Sequence, residues 1–183
     1  MTYETLGSHM HLIGPMLNER KYLPGDIAEF GVYAGATTVQ LANFGRQVWA
    51  FDTFAGIPSE PYTAGLDVDE PGKFSVGHDV PQKLAKLPNV ATIAGLIEQT
   101  LPHVEWIKGG KIEILLAYVD VDLYKTTAFV LDWLAEHMVP GGAIVLDDFH
   151  THPGIQRAIA EFLVKHPGAK FNGSETILWD CLV

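Results

Sequence analysis

Four carboxylates stand where two apolar runs end. Asp120 and Asp122 close KIEILLAYVDVD, and Asp147 and Asp148 close AIVLDD. If the two runs are neighbouring parallel strands, these side chains gather at one edge of a sheet. Like charges at short range repel and push carboxyl pKa values upward unless a cation sits between them. A hard divalent ion, Mg2+ above all, resolves that repulsion with oxygen ligands and keeps positions open for substrate. The plainer alternative is that some of the four point apart as helix caps or salt-bridge partners. His150 and His152 follow the acidic pair. Near carboxylates they could serve as a base, with a pKa raised toward neutrality. Beside Pro153 they also suit an exposed helix start.

A second constellation is EFGVYAGATT, from Glu29 to Thr38. Glycine after a strand lets the backbone turn tightly and approach a ligand with no Cβ in the way. The helix that follows offers free N–H groups. Gly31 and Gly35, with Tyr33 between them, match the nucleotide fingerprint GxGxxG only weakly, and a plain βα turn would look the same. Asp52 closes the next strand about 20 residues beyond Glu29, the offset at which an acidic residue meets a ribose diol. Alone it reads equally as a capping or solvated aspartate. His78, His103, His137 and His166 have no ligand-like spacing. Cys181 reads as a small packed residue, and Trp49, Trp133 and Trp179 as core. Tyr62, Phe74 and His78 either cover a substrate or merely pack.

The elements that must carry these residues alternate along the chain. Leu6, Met10, Ile13 and Leu17 keep helical spacing through Gly7-Ser8-His9-Met10, a tetrapeptide that matches a common tag scar. That helix should end before Pro24-Gly25. DIAEFGV is a first strand, followed by a glycine turn and a helix from Thr38 to Phe44. QVWAFD is a second strand ending on Asp52. The stretch 57–79, with Pro58, Pro61, Gly65, Pro71 and Gly72, is too long for a plain connection and reads as a lid. Val80 to Leu87 suits a short helix, Asn89 to Ile93 a third strand, and Ile97 to Val104 is mixed. KIEILLAYVDVD is the clearest buried strand. Thr126 to Met138 is helical and stopped by Pro140-Gly141-Gly142. After AIVLDD, Ile155, Ile159 and Phe162 share one helix face. Lys170 to Phe171 and Thr176 to Val183 read as an antiparallel hairpin at a sheet edge. The expected fold is α/β: a doubly wound, mostly parallel seven-stranded sheet with an antiparallel C-terminal hairpin. Ligands bind such sheets outside the carboxyl ends of the strands, where Glu29, Asp52 and the acidic pairs fall.

Composition narrows the function classes. With 183 residues, no internal repeat and no composition break, one domain over 1–183 is expected, including an N-terminal helix within 1–24. Apolar residues at 48 % and charged residues at 19 % describe a globular chain. No apolar run reaches the ~20 residues of a membrane span. The sequence starts without the basic and apolar stretches of a signal peptide, and its single cysteine points to no oxidising compartment. A cytoplasmic location is therefore expected. Twelve basic against 22 acidic side chains, a formal charge of −10, argue against nucleic acid as the main partner.

Taken together, EFGVYAGATT, VWAFDTFAGIP, DVDLYKTT, PGGAIVLDDF and GIQRAIAEF, spanning Asp26 to Phe162, resemble the class I methyltransferases that use S-adenosylmethionine. More narrowly, they resemble the macrocin O-methyltransferase (TylF-type) family. That family also tends to carry an aromatic residue where Tyr33 replaces the middle glycine of the superfamily loop. The resemblance implies that Glu29, Gly31, Tyr33, Gly35 and Thr37 lie along the cofactor's amino acid and sugar. It further implies that Asp52 holds the ribose, with Thr53 and Phe54 near the adenosine, and that Gly95 and Leu96 flank the adenine. Asp120 would border the cofactor and, with Asp147 and Asp148, bind Mg2+. Asp122 or His150 would take the acceptor's proton. The implied reaction is O-methylation of a small-molecule acceptor, a sugar or glycoside hydroxyl, held by the metal in line with the sulfonium methyl. A homodimer is the expected assembly. Two rivals remain. One is a Mg2+-dependent phosphohydrolase of the haloacid dehalogenase type, although Leu123-Tyr124 follows Asp122 where that family has a threonine. The other is a non-catalytic binding module on the same sheet.

Overall fold

Short, nearly continuous apolar runs alternate with amphipathic stretches, so that most strands are followed by a covering helix. In the computed structural model, which describes residues 9–77, 79–173 and 175–179, they form one seven-stranded sheet. The elements in order are α1 (Met10–Glu19), β1 (Asp26–Phe30), α2 (Ala36–Ala42), β2 (Val48–Asp52), α3 (Val80–Leu84), β3 (Val90–Ala94) and α4 (Ile97–Thr100). A 3-10 turn (Leu101–His103) leads to α5 (Val104–Lys108), β4 (Ile114–Val119), α6 (Tyr124–His137), β5 (Met138–Leu146), α7 (Pro153–Lys165), β6 (Ala169–Phe171) and β7 (Thr176–Trp179). The strand order is β3-β2-β1-β4-β5-β7-β6. The first five strands pair in parallel, and β7 runs antiparallel between β5 and β6. The doubly wound sheet with an antiparallel C-terminal hairpin is the fold the alternation implied.

The order reverses at β1, which has β2 on one side and β4 on the other, so the crevice between β1 and β4 is the switch point. Alternate residues of these central strands feed two buried clusters. Ala28, Phe30, Ala117 and Val119 join Val130, Leu131 and Phe162 of the α6–α7 face. Ile27, Leu116 and Tyr118 join Ile13 and Leu17 of α1 on the other. All six residues of β4 are buried, and each large aliphatic side chain so removed from water contributes roughly 1.5–3 kcal/mol. Trp49 and Trp179 are buried, while Trp133 is partly buried and stacks on His137 with ring centroids 3.7 Å apart.

α1 ends at Glu19, before Pro24-Gly25 as expected, while other boundaries differ from the sequence reading. The region 97–108 resolves into three short helical pieces where the sequence was mixed. Pro140-Gly141-Gly142 does not merely stop α6; it lies inside β5. A Cβ on Gly142 would fall 2.6 Å from Met138 Cε and 2.9 Å from the Leu115 carbonyl, so glycine is what lets the irregular start of β5 press against β4. No helix of the described residues is long and apolar enough to cross a membrane. Leu6, His78 and Cys181 lie outside the described residues.

Candidate active site at the strand ends

The parallel ladder runs one residue past each central strand and fixes the site from below. Gly95 N–H donates to Asp52 O, Gly31 N–H to Phe51 O, Asp120 N–H to Phe30 O and Asp147 N–H to Val119 O, all at 2.8–2.9 Å. Gly31 has φ 89°, and a Cβ there would sit 1.7 Å from the Asp120 carbonyl oxygen. Only glycine lets β1 and β4 end this close together. Above these ends opens a cavity of about 360 Å3.

Of the residues singled out from the sequence, Gly31, Tyr33, Asp52, Thr53, Leu96, Asp120, Asp122, Asp147 and Asp148 line this cavity. Glu29, Gly35, Thr37, Phe54, Gly95 and His150 do not. Glu29 lies fully buried in β1, both carboxylate oxygens without a hydrogen-bond partner. Burial pushes its carboxyl up to about 8, against the pull of the Thr38 hydroxyl and with help from the Asp52 charge. Gly35 is the left-handed N-cap of α2, where a Cβ would meet Leu84 at 2.9 Å. Asp52 organises the glycine loop: its Oδ2 accepts from Val32 N at 2.6 Å and Tyr33 N at 2.8 Å, and its Oδ1 from Phe54 N at 2.6 Å.

The acidic pairs do converge. Asp120, Asp122 and Asp148 each offer an oxygen within 4.8 Å of the others, a hard donor set that fits a divalent cation. Asp147 is not in that group. Its Oδ2 accepts from the Tyr118 hydroxyl at 2.7 Å and its Oδ1 from Asp148 N at 2.8 Å, which leaves each oxygen a further lone pair. Asp122 thus stands with Asp120 and Asp148, and Asp147 lines the same cavity beside them. Burial, then the charges of Asp147, Asp122 and Asp148, holds the Asp120 carboxyl well above its ordinary range. Burial, then hydrogen bonding and repulsion from Asp148, pushes Asp122 up to about 8. Asp122 and Asp148 both have left-handed backbones, φ 58° and 57°, as do Tyr33, Phe54 and Phe74. Four of these five line the cavity, the clustering of backbone strain that functional sites show.

The histidine expectation needs correction. His150 is exposed and packs its ring edge-to-face against Phe149, centroids 5.2 Å apart. His152 is the buried one. The tight turn at Asp148, closed by Thr151 N and His152 N donating to the Asp148 carbonyl, swings residue 152 back toward the carboxylates. Its Nε2 donates to Asp69 Oδ2 at 3.0 Å and lies 3.9 Å from Asp122 Oδ1, and its Nδ1 lies 3.5 Å from Asp148 Oδ1.

Asp69 belongs to the long segment after β2, which grips the site through three neighbouring residues. Leu66 O accepts from Gly154 N at 3.1 Å, Asp67 Oδ1 caps α6 by accepting from Tyr124 N at 2.7 Å, and Asp69 holds His152. Asp67 also accepts from Thr63 N at 2.5 Å. The sequence missed Asp67 and Asp69, whose only signal was the acidic alternation LDVDE. It also missed Glu98, which lines the cavity and accepts from the Thr126 hydroxyl at 2.5 Å.

Comparison with known proteins finds several relatives. The model of the macrocin-O-methyltransferase (TylF) family matches residues 16–169. The chain is 24% identical over 165 residues to the mycinamicin III 3''-O-methyltransferase of Micromonospora griseorubida, covering 80% of this chain and 63% of that protein. It is 24% identical over 155 residues to an 8-demethyl-8-(2,3-dimethoxy-alpha-L-rhamnosyl)-tetracenomycin-C 4'-O-methyltransferase of Streptomyces olivaceus, covering 69% and 54%. It thus spans less than two thirds of either relative's length. Among solved structures, the calicheamicin methyltransferase CalS11 superposes with a TM-score of 0.79 at 22% identity, over 95% of this chain and 81% of its own. CalS11 is also described as a TDP-rhamnose 3'-O-methyltransferase. An O-methyltransferase of Bacillus cereus, solved in complex with SAH, superposes with a TM-score of 0.54 at 17% identity, over 89% and 76%.

Proposed function

We propose, from the premise that the chain belongs to the macrocin-O-methyltransferase (TylF) family, that it carries a methyl group from S-adenosylmethionine to a hydroxyl of a sugar or other small-molecule acceptor. The observation that carries this reading is a single cavity bordered on one side by Asp52 and the glycine turn and on the other by the carboxylates of β4 and β5. When bound, S-adenosylmethionine supplies a methyl already activated on its sulfonium, so no nucleophilic side chain is required. Asp52 would bind the ribose hydroxyls. Its carboxylate has about four lone-pair sites and spends three on backbone amides. Leu96 would flank the adenine, and Gly31, whose missing Cβ makes way for the Asp120 carbonyl, lines the same cavity.

Asp120 and Asp148 would hold Mg2+, an ion that lowers the pKa of a hydroxyl it binds. Tyr118 and the Asp148 amide keep Asp147 turned against them as support. Asp122 takes the acceptor's proton at a carboxyl oxygen. It lines the cavity beside Asp120 and Asp148, where an acceptor hydroxyl held by the ion would lie. His152, pinned by Asp69, orients Asp122 and Asp148 from behind.

The test is incubation of the protein with S-adenosylmethionine, Mg2+ and a panel of neutral glycosides and nucleotide sugars, followed by mass spectrometry. One added methyl per acceptor and an equal yield of S-adenosylhomocysteine are expected. A protein that neither binds S-adenosylmethionine nor turns over any hydroxyl acceptor, yet cleaves a generic aryl phosphate, belongs to the phosphohydrolase reading instead.

A further inference from the structure

Behind the carboxylate wall, three elements each send one metal-binding side chain to a common point. Asp69 comes from the loop after β2, Asp122 from the turn after β4 and His152 from the start of α7. Their donor atoms all lie within 4.8 Å of one another, and the three side chains are only 14%, 12% and 7% exposed. His152 Nε2 stands 3.0 Å from Asp69 Oδ2 and 3.9 Å from Asp122 Oδ1. A tetrahedral ion with bonds of about 2.0–2.2 Å holds its donors roughly 3.3–3.6 Å apart, a spacing these two distances bracket. The set of Asp120, Asp122 and Asp148 is different in kind. Oxygen donors alone suit Mg2+, whereas an imidazole among the donors suits Zn2+ and the neighbouring first-row ions.

Contacts outside the triad point the same way. A ligating histidine carries its proton on the other ring nitrogen and gives it to a fixed acceptor. His152 Nδ1 lies 2.8 Å from Thr151 Oγ1, and the Thr151 hydroxyl donates in turn to Asp148 Oδ1 at 3.0 Å, so that acceptor is already in place. Lys73 holds Asp69 by Oδ1 and leaves Oδ2 turned toward His152. Neither Asp69 nor His152 lines the cavity above the strand ends. A second cavity, lined by Val68, Asp69, Glu70, Pro71 and Lys73, reaches Asp69 from the loop side and gives an ion its own way in.

We propose that Asp69, Asp122 and His152 form a second cation site, selective for Zn2+ or a similar first-row transition ion, whose occupation switches the enzyme off. The site stands on its own geometry; its consequence rests on the methyltransferase reading above. An ion there takes the place of the bond between His152 Nε2 and Asp69 Oδ2, with the imidazole proton on Nδ1. It occupies the Asp122 carboxylate, which then no longer receives the acceptor's proton, while Asp120 and Asp148 stay available to Mg2+. The same ion ties the loop after β2 to the start of α7.

The experiment titrates Zn2+ into the full chain in saturating Mg2+ and follows binding by calorimetry, with Co2+ as a second probe whose visible absorption reports tetrahedral geometry. One equivalent should bind despite the Mg2+, and Co2+ should show the tetrahedral spectrum. Asp69→Asn, which keeps the side chain's size, and His152→Ala should each weaken Zn2+ binding by roughly tenfold or more, and Thr151→Val by roughly tenfold through loss of the outer acceptor. Asp120→Asn, outside the triad, should leave Zn2+ affinity unchanged. In the parent, filling the site should stop methyl transfer without releasing S-adenosylhomocysteine. Displacement of Zn2+ by Mg2+, equal affinity in the parent, Asp69→Asn and His152→Ala, loss of binding in Asp120→Asn, or turnover that survives a filled site overturns the proposal. S-adenosylhomocysteine binding, measured separately in the metal-free chain, decides the methyltransferase reading. A chain that binds Zn2+ at these residues and no S-adenosylhomocysteine keeps the site and loses that reading.

Discussion

Asp52 does two jobs with one carboxylate, and its substitution should show both. Asp52→Ala removes the proposed ribose contact and also the acceptor for Val32, Tyr33 and Phe54 N–H. Calorimetry should record a loss of about 1.5–3 kcal/mol in S-adenosylmethionine binding, the usual worth of hydrogen bonds to a charged group. Unchanged affinity would remove Asp52 from the cofactor site. Glu29 gives a second reading at this scale. Its carboxyl is raised from 4.5 to about 8 in the fold, so its stabilising, protonated form is complete below about 4.5 and is lost as pH rises through about 8. Glu29→Gln cannot ionise. Relative to the parent it should therefore gain stability in urea melts as pH goes from about 5 to about 8.5. Parallel curves for the two proteins would mean that Glu29 finds a partner in solution. The strand-end acids were legible because an apolar run that breaks into aspartates has few other uses. The histidine was not. His150 and His152 differ by two residues, and only the turn at Asp148 decides which one faces inward.

At the scale of elements, the segment between β2 and α3 is two things at once. Residues 66–69 form a clamp on the N-termini of α6 and α7, while residues 70–75 are exposed throughout. Length and proline content marked the segment as unusual, but its anchors are contacts between residues far apart in sequence, which no local pattern records. The division predicts where it yields. Limited proteolysis should cut first between residues 70 and 75 and not at 63–69, with protection on adding cofactor and acceptor. Equal cleavage with and without ligands would leave it an ordinary surface loop. Asp67→Ala should destabilise the protein by about 2 kcal/mol, since it strips a cap from α6 and a bond from Thr63 N. Hydrogen exchange at Tyr124 N–H should accelerate in that variant, and an unchanged rate there would show that the clamp does not hold α6.

For the whole molecule, strand order creates the site's central problem. Placing β4 between β1 and β5 sets Asp120 beside the Asp147-Asp148 pair at one edge of a chain whose formal charge is already −10. The alternation of strand and helix signals made the sheet legible, whereas the insertion of β7 between β5 and β6 was not, because both short strands carry the same pattern. Burial first, and then repulsion from Asp147, Asp122 and Asp148, raises the Asp120 carboxyl. Asp120→Asn should therefore raise the melting temperature of the metal-free protein near neutral pH, since it removes one member of an uncompensated cluster. The parent should gain stability with added Mg2+ as RT ln(1 + [L]/Kd), and Asp120→Asn should erase that gain. Geometry adds a finer distinction. Asp148 faces the shared donor set, while both oxygens of Asp147 are held by Tyr118 and the Asp148 amide. Asp148→Asn should then abolish the Mg2+ shift and Asp147→Asn only reduce it, with S-adenosylhomocysteine affinity nearly unchanged in both, because Asp52 and the glycine turn lie on other strands. Equal loss in the two variants would return Asp147 to the ligand set the sequence proposed. No Mg2+ shift in the parent, together with turnover that survives EDTA, would leave these carboxylates as base and supports without a metal.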